Sequence, residues 1–95
     1  MNSKLDLKKV EKISKALGDP FRLKMMEMIK KQKSACQCTS IVEKLDLAQS
    51  TISHHIKQLV DADLLIAEKD GRNFSYTINQ DMLNSYIHFL SQYED

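Results

Sequence analysis

The chain has few residues that interrupt regular structure: two Gly, one Pro and no Trp among 95 residues. Without low-complexity stretches or internal repeats, a chain of this length is expected to form one continuous domain, residues 1–95. It also has no run of about 18 apolar residues, which excludes a transmembrane helix, and its lysine-dotted N-terminus lacks a signal-peptide core. We therefore expect a cytoplasmic protein with no membrane partner.

Signatures of enzymes are also missing. The sequence has no Gly-rich phosphate loop, no triad-like arrangement and no paired carboxylates in a plausible cleft, so a non-enzymatic function is predicted. Apolar residues at 42% and charged residues at 28% are ordinary for a folded globular domain and argue against disorder. The deep core and pocket of a larger enzyme are not expected in so short a chain.

The net charge is only +1, so nucleic-acid binding would have to depend on how the charges are distributed. Residues 1–33 hold ten Lys or Arg and four Asp or Glu, whereas residues 34–95 hold four and nine. Lys30, Lys31 and Lys33 are candidate auxiliary phosphate contacts. A near-neutral protein also predicts a moderate affinity for DNA that weakens with salt.

The segment Leu45–Ile66 carries the strongest functional signal. Ile52, Ile56 and Leu59 form an apolar stripe at helical spacing, which predicts a helix. This helix is expected to end near 61–63. Its opposite side has no large apolar residue and no acid, where an ordinary solvated helix would more often carry Glu. Donors and small hydroxyls on that side suit phosphates and base edges, although a solvated surface helix is the alternative for this segment alone. The candidate DNA contacts on this helix are Gln49, Ser50, Thr51, Ser53, His54 and Lys57.

A β-hairpin is predicted immediately after this helix. An apolar run begins at Leu64, and later apolar residues alternate with Ser75 and Thr77 at the period of a half-buried strand. The dipeptide Asp70-Gly71 between them predicts a tight turn, because Gly accepts a positive φ. Arg72 and Asn73 lie at the tip, where a cation and an amide could reach a phosphate or the minor groove.

Three blocks of the sequence resemble the ArsR/SmtB family of bacterial metal- and stress-responsive regulators. They are ALGDPFRL at residues 16–23, LAQSTISHHI at residues 47–56, and a wing that contains Gly71-Arg72 and ends in Tyr76. The similarity covers nearly the whole chain. It implies a repressor that binds an operator in double-stranded DNA as a homodimer and is released by an effector. A metal-independent or redox-responsive regulator is the alternative, followed by a winged-helix module that binds protein partners.

The resemblance implies a mainly α, α+β winged helix with five helices and a two-stranded β-hairpin wing. The helix-turn-helix would lie at about 39–62 and the wing at about 65–78. The helices at about 5–17 and 80–93 would form the dimer, with apolar stripes that a monomer of this size would struggle to cover.

Several local features refine this interpretation. Periodicity predicts the first helix at Leu7–Leu17, and Asp19-Pro20 predicts the start of the second, with Asp as N-cap and Pro in the first turn. The second helix is apolar nearly all round, so we expect it to be sandwiched between two layers. Thr39–Leu45 would be the first helix of the helix-turn-helix. Asp63 stands where family members usually have Gly, at a left-handed cap that Asp also tolerates.

Cys36-Gln37-Cys38 is the candidate sensor of an effector. Two thiolates two positions apart in an extended segment lie on one face and could bind a soft ion such as arsenite, Cd, Zn or Cu(I). The family's thiolate motif sits here but is offset by one residue, so Cys36 and Cys38 fall where many relatives have apolar residues of the first strand. Core filling and a redox switch therefore stay open beside metal binding, as does a protein with no metal at all.

The histidines fit the family's other sensor site poorly. That site uses an acid and histidines on the last helix, and only His88 lies there, with Asp81 and Glu94 at unsuitable spacings. His54 is expected to face DNA, whereas His55 borders the apolar stripe and is expected to be structural. Adjacent helical positions diverge by about 100°, so the two are not expected to chelate one ion.

Overall fold

The computed structural model describes residues 5–32, 36–37 and 45–95. Within these residues a mainly helical domain contains four helices and a three-stranded antiparallel sheet. No helix in the described ranges is both long enough and apolar enough to cross a membrane. In chain order the elements are α1 (Leu7–Leu17), α2 (Pro20–Lys31), β1 (Cys36–Gln37), α3 (Gln49–Asp61), β2 (Leu65–Asp70), β3 (Asn73–Ile78) and α4 (Gln80–Ser91).

Four of the five predicted helices are confirmed. The fifth was predicted at 39–45, of which residues 39–44 lie outside the described residues. Leu45 is described: its backbone forms a bend and its side chain is buried. The last helix ends at Ser91, two residues before the predicted Tyr93, because Gln92 forms its C-cap. The difference at this end is ordinary fraying of a helix terminus.

The sheet contains one strand besides the predicted two-stranded wing. The hairpin of β2 and β3 is confirmed, but β1 adds a third strand, so β3 lies in the centre. Cys36 pairs with Tyr76 and Gln37 with Ser75. A strand of two residues is too short to show period-two alternation, so only the family resemblance, which aligns Cys36 with the first strand of relatives, pointed to it.

Side-chain caps explain where three of the helices begin. Asp6 accepts a hydrogen bond from the Lys9 amide at 2.8 Å, and Asn79 accepts one from the Met82 amide at 3.2 Å. Asp19 accepts from both Phe21 and Arg22, as its predicted N-cap role requires. These bonds satisfy amides of the first turn that have no partner within the helix.

One core lies between the helices and the sheet. Its fully buried members are Ile13 of α1, Met25 of α2, Ile52 and Leu59 of α3, and Leu64. The expectation that α2 is sandwiched between two layers is wrong for the single chain, since Leu23 is 52% exposed. Among the described residues, the buried positions of α2 are Met25 and Ile29, which share one face of the helix.

The end of α3 and the hairpin turn both use left-handed backbone. Asp63 has φ 61°, as expected for a left-handed cap, and the amides of Asp63 and Leu64 bond back to the carbonyls of Val60 and Leu59 at 2.9 and 3.0 Å. This pair of bonds is a Schellman motif, which ends the helix sharply. Gly71, with φ 66°, begins the two-residue turn of the hairpin, because Asp70 pairs with Asn73.

Candidate nucleic-acid interface

The α3 helix presents one buried and one exposed side. Ile52, Ile56 and Leu59 are buried, which fixes the rotation of the helix on the core. All six predicted contacts of the helix are therefore turned to solvent: Gln49, Ser50, Thr51, Ser53, His54 and Lys57. The structure thus brings these side chains together on one accessible face, as the periodicity predicted, while their role as DNA contacts stays a prediction.

The beginning of α3 differs from that of the other described helices. Its N-cap residue is Ala48, which has no side-chain oxygen to accept a bond from the first amides, and its first turn has no acid. The positive end of the helix dipole, with first-turn amides that have no acceptor within the helix, therefore lies beside Ser50 and Thr51. An anionic group such as a phosphate is attracted to such an end.

Lys57 is a surface cation with an exchangeable partner. Its Nζ donates to Oδ2 of Asp61 at 2.9 Å, one helical turn away, while 70% of the Lys57 side chain stays exposed. The hydrogen bond from Lys57 holds the pKa of Asp61 below its usual value. An ion pair this exposed is weak, so Lys57 can exchange the carboxylate for a phosphate at little cost.

The predicted wing contacts also lie at the surface. Arg72 is the second residue of the turn and Asn73 begins β3, and both are exposed. Their backbone position is fixed by six cross-strand pairs, from Leu65 with Ile78 to Asp70 with Asn73. The cation and the amide are therefore held at the tip of a ladder-stabilised hairpin rather than on an irregular loop.

Arg22 links α1, α2 and α3, a role that was not predicted from its sequence block. Its Nε donates to the Ala16 carbonyl at 2.7 Å and its Nη2 to the Lys15 carbonyl at 3.3 Å, so it caps the end of α1. Its Nη1 lies 3.3 Å from Nδ1 of His55 on α3. Sequence spacing could not show this bridge, because His55 lies 33 positions further along the chain.

His55 is held from a second side as well. Its ring stacks on Phe21, with centroids 6.2 Å apart and planes 23° from parallel. Burial raises the pKa of nearby Asp19, but amide hydrogen bonds from Arg22 and Phe21, with the charges of His55 and Arg22, hold it below its ordinary value. The contacts with Arg22 and Phe21 hold the half-buried His55 between helices, consistent with the structural role predicted for it, whereas His54 is exposed.

Two polar contacts connect α1 to other parts of the fold. Nζ of Lys9 forms an ion pair with Oδ2 of Asp63, the left-handed cap of α3. The hydroxyl oxygens of Ser14 and Tyr86 lie 2.8 Å apart and join α1 to α4. Helix α1 therefore contacts both the end of α3 and α4.

A groove of about 200 Å³ separates α3 from the hairpin. Its two walls come from α3 and from the face of the sheet that is turned towards α3. The lining residues are Ser53, Ile56, Lys57, Val60, Ala67, Phe74 and Tyr76. Since Ser53 and Lys57 are also predicted DNA contacts, the groove continues directly from the exposed face of α3.

The predicted thiol sensor is only partly covered by the structure. Cys36 belongs to β1, whereas Cys38 lies outside the described residues, so the pair is not tested as a metal site. Lys33, predicted as an auxiliary phosphate contact, also lies outside them. Within the described ranges no group of three or more His, Cys, Asp or Glu is placed to hold a metal ion.

Comparisons with known proteins agree with the fold. Residues 19–67 match the family model for the bacterial regulatory proteins of the arsR family. The arsenical resistance operon repressor of Staphylococcus aureus is 32% identical over 87 residues, which cover 92% of this chain and 82% of that protein. An uncharacterised HTH-type transcriptional regulator of Methanocaldococcus jannaschii is 39% identical over 72 residues, covering 75% and 80%.

The fold is shared with solved structures. A homodimeric winged helix-turn-helix DNA-binding domain from Mycobacterium bovis, solved by NMR, superposes with a TM-score of 0.72 at 20% identity, over 99% of this chain and 93% of that one. The predictions of a winged helix and of a regulator rather than an enzyme are confirmed by these relatives. On the family model and the Staphylococcus relative together, this chain belongs to the arsR family of bacterial regulatory proteins.

Proposed function

We propose that the protein represses transcription in the cytoplasm by binding an operator duplex as a homodimer. The observation that carries the proposal is the outer face of α3, which is exposed, rich in donors and free of acid from Gln49 to Gln58. Such a face meets phosphates and base edges without electrostatic repulsion. Its rotation is fixed by the buried stripe, so the donors are presented in one rigid arrangement.

The homodimer is supported by apolar surface on α1 and α4. Leu7 of α1 and, on or just after α4, Ile87, Leu90 and Tyr93 are large apolar side chains that the single chain leaves exposed. The two helices are joined through Ser14 and Tyr86. Pairing of this surface across a two-fold axis would place two α3 helices in successive major grooves and each wing near a minor groove.

Within that complex each group of side chains has a distinct role. Gln49, Ser50 and Thr51 sit at the positive end of α3 and suit phosphate contacts. Ser53, His54 and Lys57 lie further along the exposed face and suit base edges or the backbone. Arg72 and Asn73 at the wing tip suit the minor groove and its phosphates.

Release by an effector completes the proposed mechanism. Curated relatives are named arsenical resistance operon repressors, which makes a thiophilic metalloid the first effector to test. Cys36 pairs through its backbone with Tyr76 in the central strand of the wing sheet. An ion or an oxidation event at the cysteines would therefore act on the hairpin next to α3. If arsenite, Cd, Zn and Cu(I) leave DNA binding unchanged, a metal-independent regulator is the second candidate.

A winged-helix module for protein partners is disfavoured by the same face of α3. The centre of a protein-binding surface is depleted in charge and enriched in apolar or aromatic side chains. Here the centre of the face is Ser50, His54 and Lys57, which suits a nucleic acid better.

The direct test is operator binding by the double variant Ser53→Ala with His54→Ala. Both residues are exposed, so the fold should be retained, and the affinity for the cognate duplex should fall by about 10- to 100-fold, as expected for lost base contacts. Fluorescence anisotropy with a labelled duplex from upstream of its own gene measures this. His88→Ala removes an exposed histidine from α4 and serves as the control. Unchanged affinity in the double variant would reject α3 as the reading helix.

A further inference from the structure

His55 is a titratable side chain at the contact between α2 and α3. It is half-buried, and its neighbour in the chain, His54, is one of the proposed operator contacts. The ring of Phe21 covers one side of the imidazole, with centroids 6.2 Å apart. Nδ1 of His55 lies 3.3 Å from Nη1 of Arg22. The contact between the two helices therefore depends on whether Nδ1 carries a proton.

The partner of Nδ1 decides which form of His55 this contact requires. A guanidinium group has only donors and keeps its positive charge at any physiological pH. A hydrogen bond between the two nitrogens therefore needs Nδ1 as the acceptor, so His55 is neutral and carries its proton on Nε2. Protonation of Nδ1 removes the bond and brings two donors of like charge together at 3.3 Å.

Arg22 is held in place by other bonds, so the imidazole is the group expected to move. Nε of Arg22 donates to the Ala16 carbonyl at 2.7 Å, and Nη2 donates to the Lys15 carbonyl at 3.3 Å. Both carbonyls belong to the last turn of α1. Since the imidazole is carried by α3, its displacement acts on the packing of α3 against α2.

Within the described parts of the chain, the other charged groups near His55 do not replace the lost hydrogen bond. Asp19 of α2 attracts a charged His55, but its carboxylate already accepts from two backbone amides as the N-cap. Lys15 at the end of α1 is positive and pairs with Glu11 at 3.4 Å. On α3 the ring of His54, 6.2 Å away between centroids, would itself become positive.

We propose that His55 is a pH-sensitive positioning residue: its neutral form holds α3 against Arg22, and its protonation at mildly acidic pH breaks this contact and weakens operator binding. The inference rests on the proposed DNA-binding function. Histidine normally changes its charge between about pH 5 and 8, within the range that a cell can reach. Contacts with a ligand need their side chains held to within about 0.5 Å, so a small displacement of α3 lowers the affinity.

The expected direction is opposite to that of ordinary electrostatics. Acidic pH makes the exposed His54 and His88 more positive, and added positive charge strengthens binding to DNA. A loss of affinity as the pH falls therefore indicates a histidine that must be neutral in the complex. Of the three histidines in the chain, His55 has the contact that requires the neutral form.

Operator binding at about pH 7.5 and about pH 5.5, on either side of the usual histidine titration, tests the proposal. Fluorescence anisotropy at constant ionic strength should show that the wild type loses about 10-fold or more in affinity at the lower pH. This is the order expected for a lost hydrogen bond to a charged group. Circular dichroism should show unchanged helix content at both values. A decline that accompanies unfolding would contradict the proposal.

His55→Asn separates the protonation of His55 from its place in the fold. The Asn side chain offers an acceptor close to the position of Nδ1 but cannot be protonated. The variant should keep most of the affinity at the higher pH and lose the acidic decline. His88→Asn is the matched control, because it removes an exposed histidine of α4 and should leave the decline in place. A decline that persists in His55→Asn would overturn the proposal.

Nitrogen NMR of the imidazole tests the same contact without DNA. At the higher pH the free protein should have Nδ1 of His55 unprotonated and Nε2 protonated, and a proton on Nδ1 would overturn the proposal. If the wild type binds the operator specifically but its affinity does not fall on acidification, the positioning role fails and the repressor function stands. If the wild type binds no operator specifically at either pH, both proposals fail.

Discussion

Helices α3 and α4 are nearly equal in length and both amphipathic, but the rest of the domain buries the apolar face of α3 alone. In α3 the apolar stripe is buried, and what remains outside is polar. In α4, from Gln80 to Ser91, no residue is buried, and Ile87 and Leu90 are 55% and 42% exposed. The core therefore fixes α3 and leaves its polar face exposed, as the proposed operator contact requires, whereas α4 keeps an exposed apolar face, as the proposed dimer requires.

The largest effect on stability is expected in the buried stripe of α3. Leu59→Ala removes a fully buried side chain and should lower the free energy of unfolding by about 2–5 kcal/mol, through lost burial and the cavity left behind. Leu90→Ala in α4, tested on dilute monomer, should cost well under half of that. Urea unfolding followed by circular dichroism compares the two. Equal losses would show that α4 is as firmly packed within the chain as α3.

A charge on the apolar face of α4 should separate dimerisation from folding. Leu90→Glu places a carboxylate where a partner would bury it. The dissociation constant of the dimer should therefore rise by at least about 100-fold, the order expected for one unpaired buried charge. The monomer should remain folded because Leu90 is already exposed. Sedimentation velocity gives the oligomeric state and circular dichroism the helix content. A variant that stays dimeric would remove α4 from the interface.

Asp63 offers a smaller test at the junction between α1 and α3. Asp63→Gly relieves a left-handed residue by roughly 1 kcal/mol but loses a partly exposed ion pair with Lys9, which contributes about 0.2–1 kcal/mol. The net change in stability should therefore lie close to zero or be slightly favourable. Asp63→Ala keeps the strain, loses the pair and should be destabilised relative to Asp63→Gly. If the alanine variant is the more stable one in thermal unfolding, the left-handed cap does not control this position.

The smallest effect is expected from the ion pair on the outer face of α3. Because Lys57 lowers the pKa of Asp61 in the folded chain, the pair stabilises the fold above the ordinary carboxyl pKa of the unfolded chain. That contribution is lost as the pH falls through the lowered folded value. Lys57→Gln should therefore lower the unfolding midpoint slightly at neutral pH, leave it unchanged below the lowered pKa of Asp61, and so flatten its pH dependence in the acidic range. An unaltered acidic profile would show that the pair contributes nothing in solution.

Local features of the fold could be predicted from the sequence. Periodicity predicted which side of α3 is buried, and the cap at Asp19 followed from local chemistry, whereas the left-handed residue at Asp63 was expected from the family resemblance. Sequence spacing predicted the ladder of the hairpin and its turn at Gly71. These are signals carried by neighbouring residues, so no tertiary information was needed.

Features that depend on distant residues could not be predicted in this way. The bridge from Arg22 to His55 joins positions that only the folded chain brings together. The exposure of Leu23 contradicted an expectation drawn from composition alone, because an apolar side of a helix does not show what covers it. The strand at Cys36–Gln37 was too short to show a period, and Phe74 followed the hairpin pattern without showing that its ring lines a groove.

Hydroxyl-radical footprinting of side chains tests most directly whether α3 contacts the operator and α4 contacts the second protomer. Operator DNA should protect His54 and leave Leu90 and Tyr93 unchanged, whereas dilution of the free protein should increase modification of Leu90 and Tyr93 alone. Protection of Leu90 and Tyr93 by DNA, with His54 unaffected, would contradict the assignment of α3 to the operator and α4 to the second protomer.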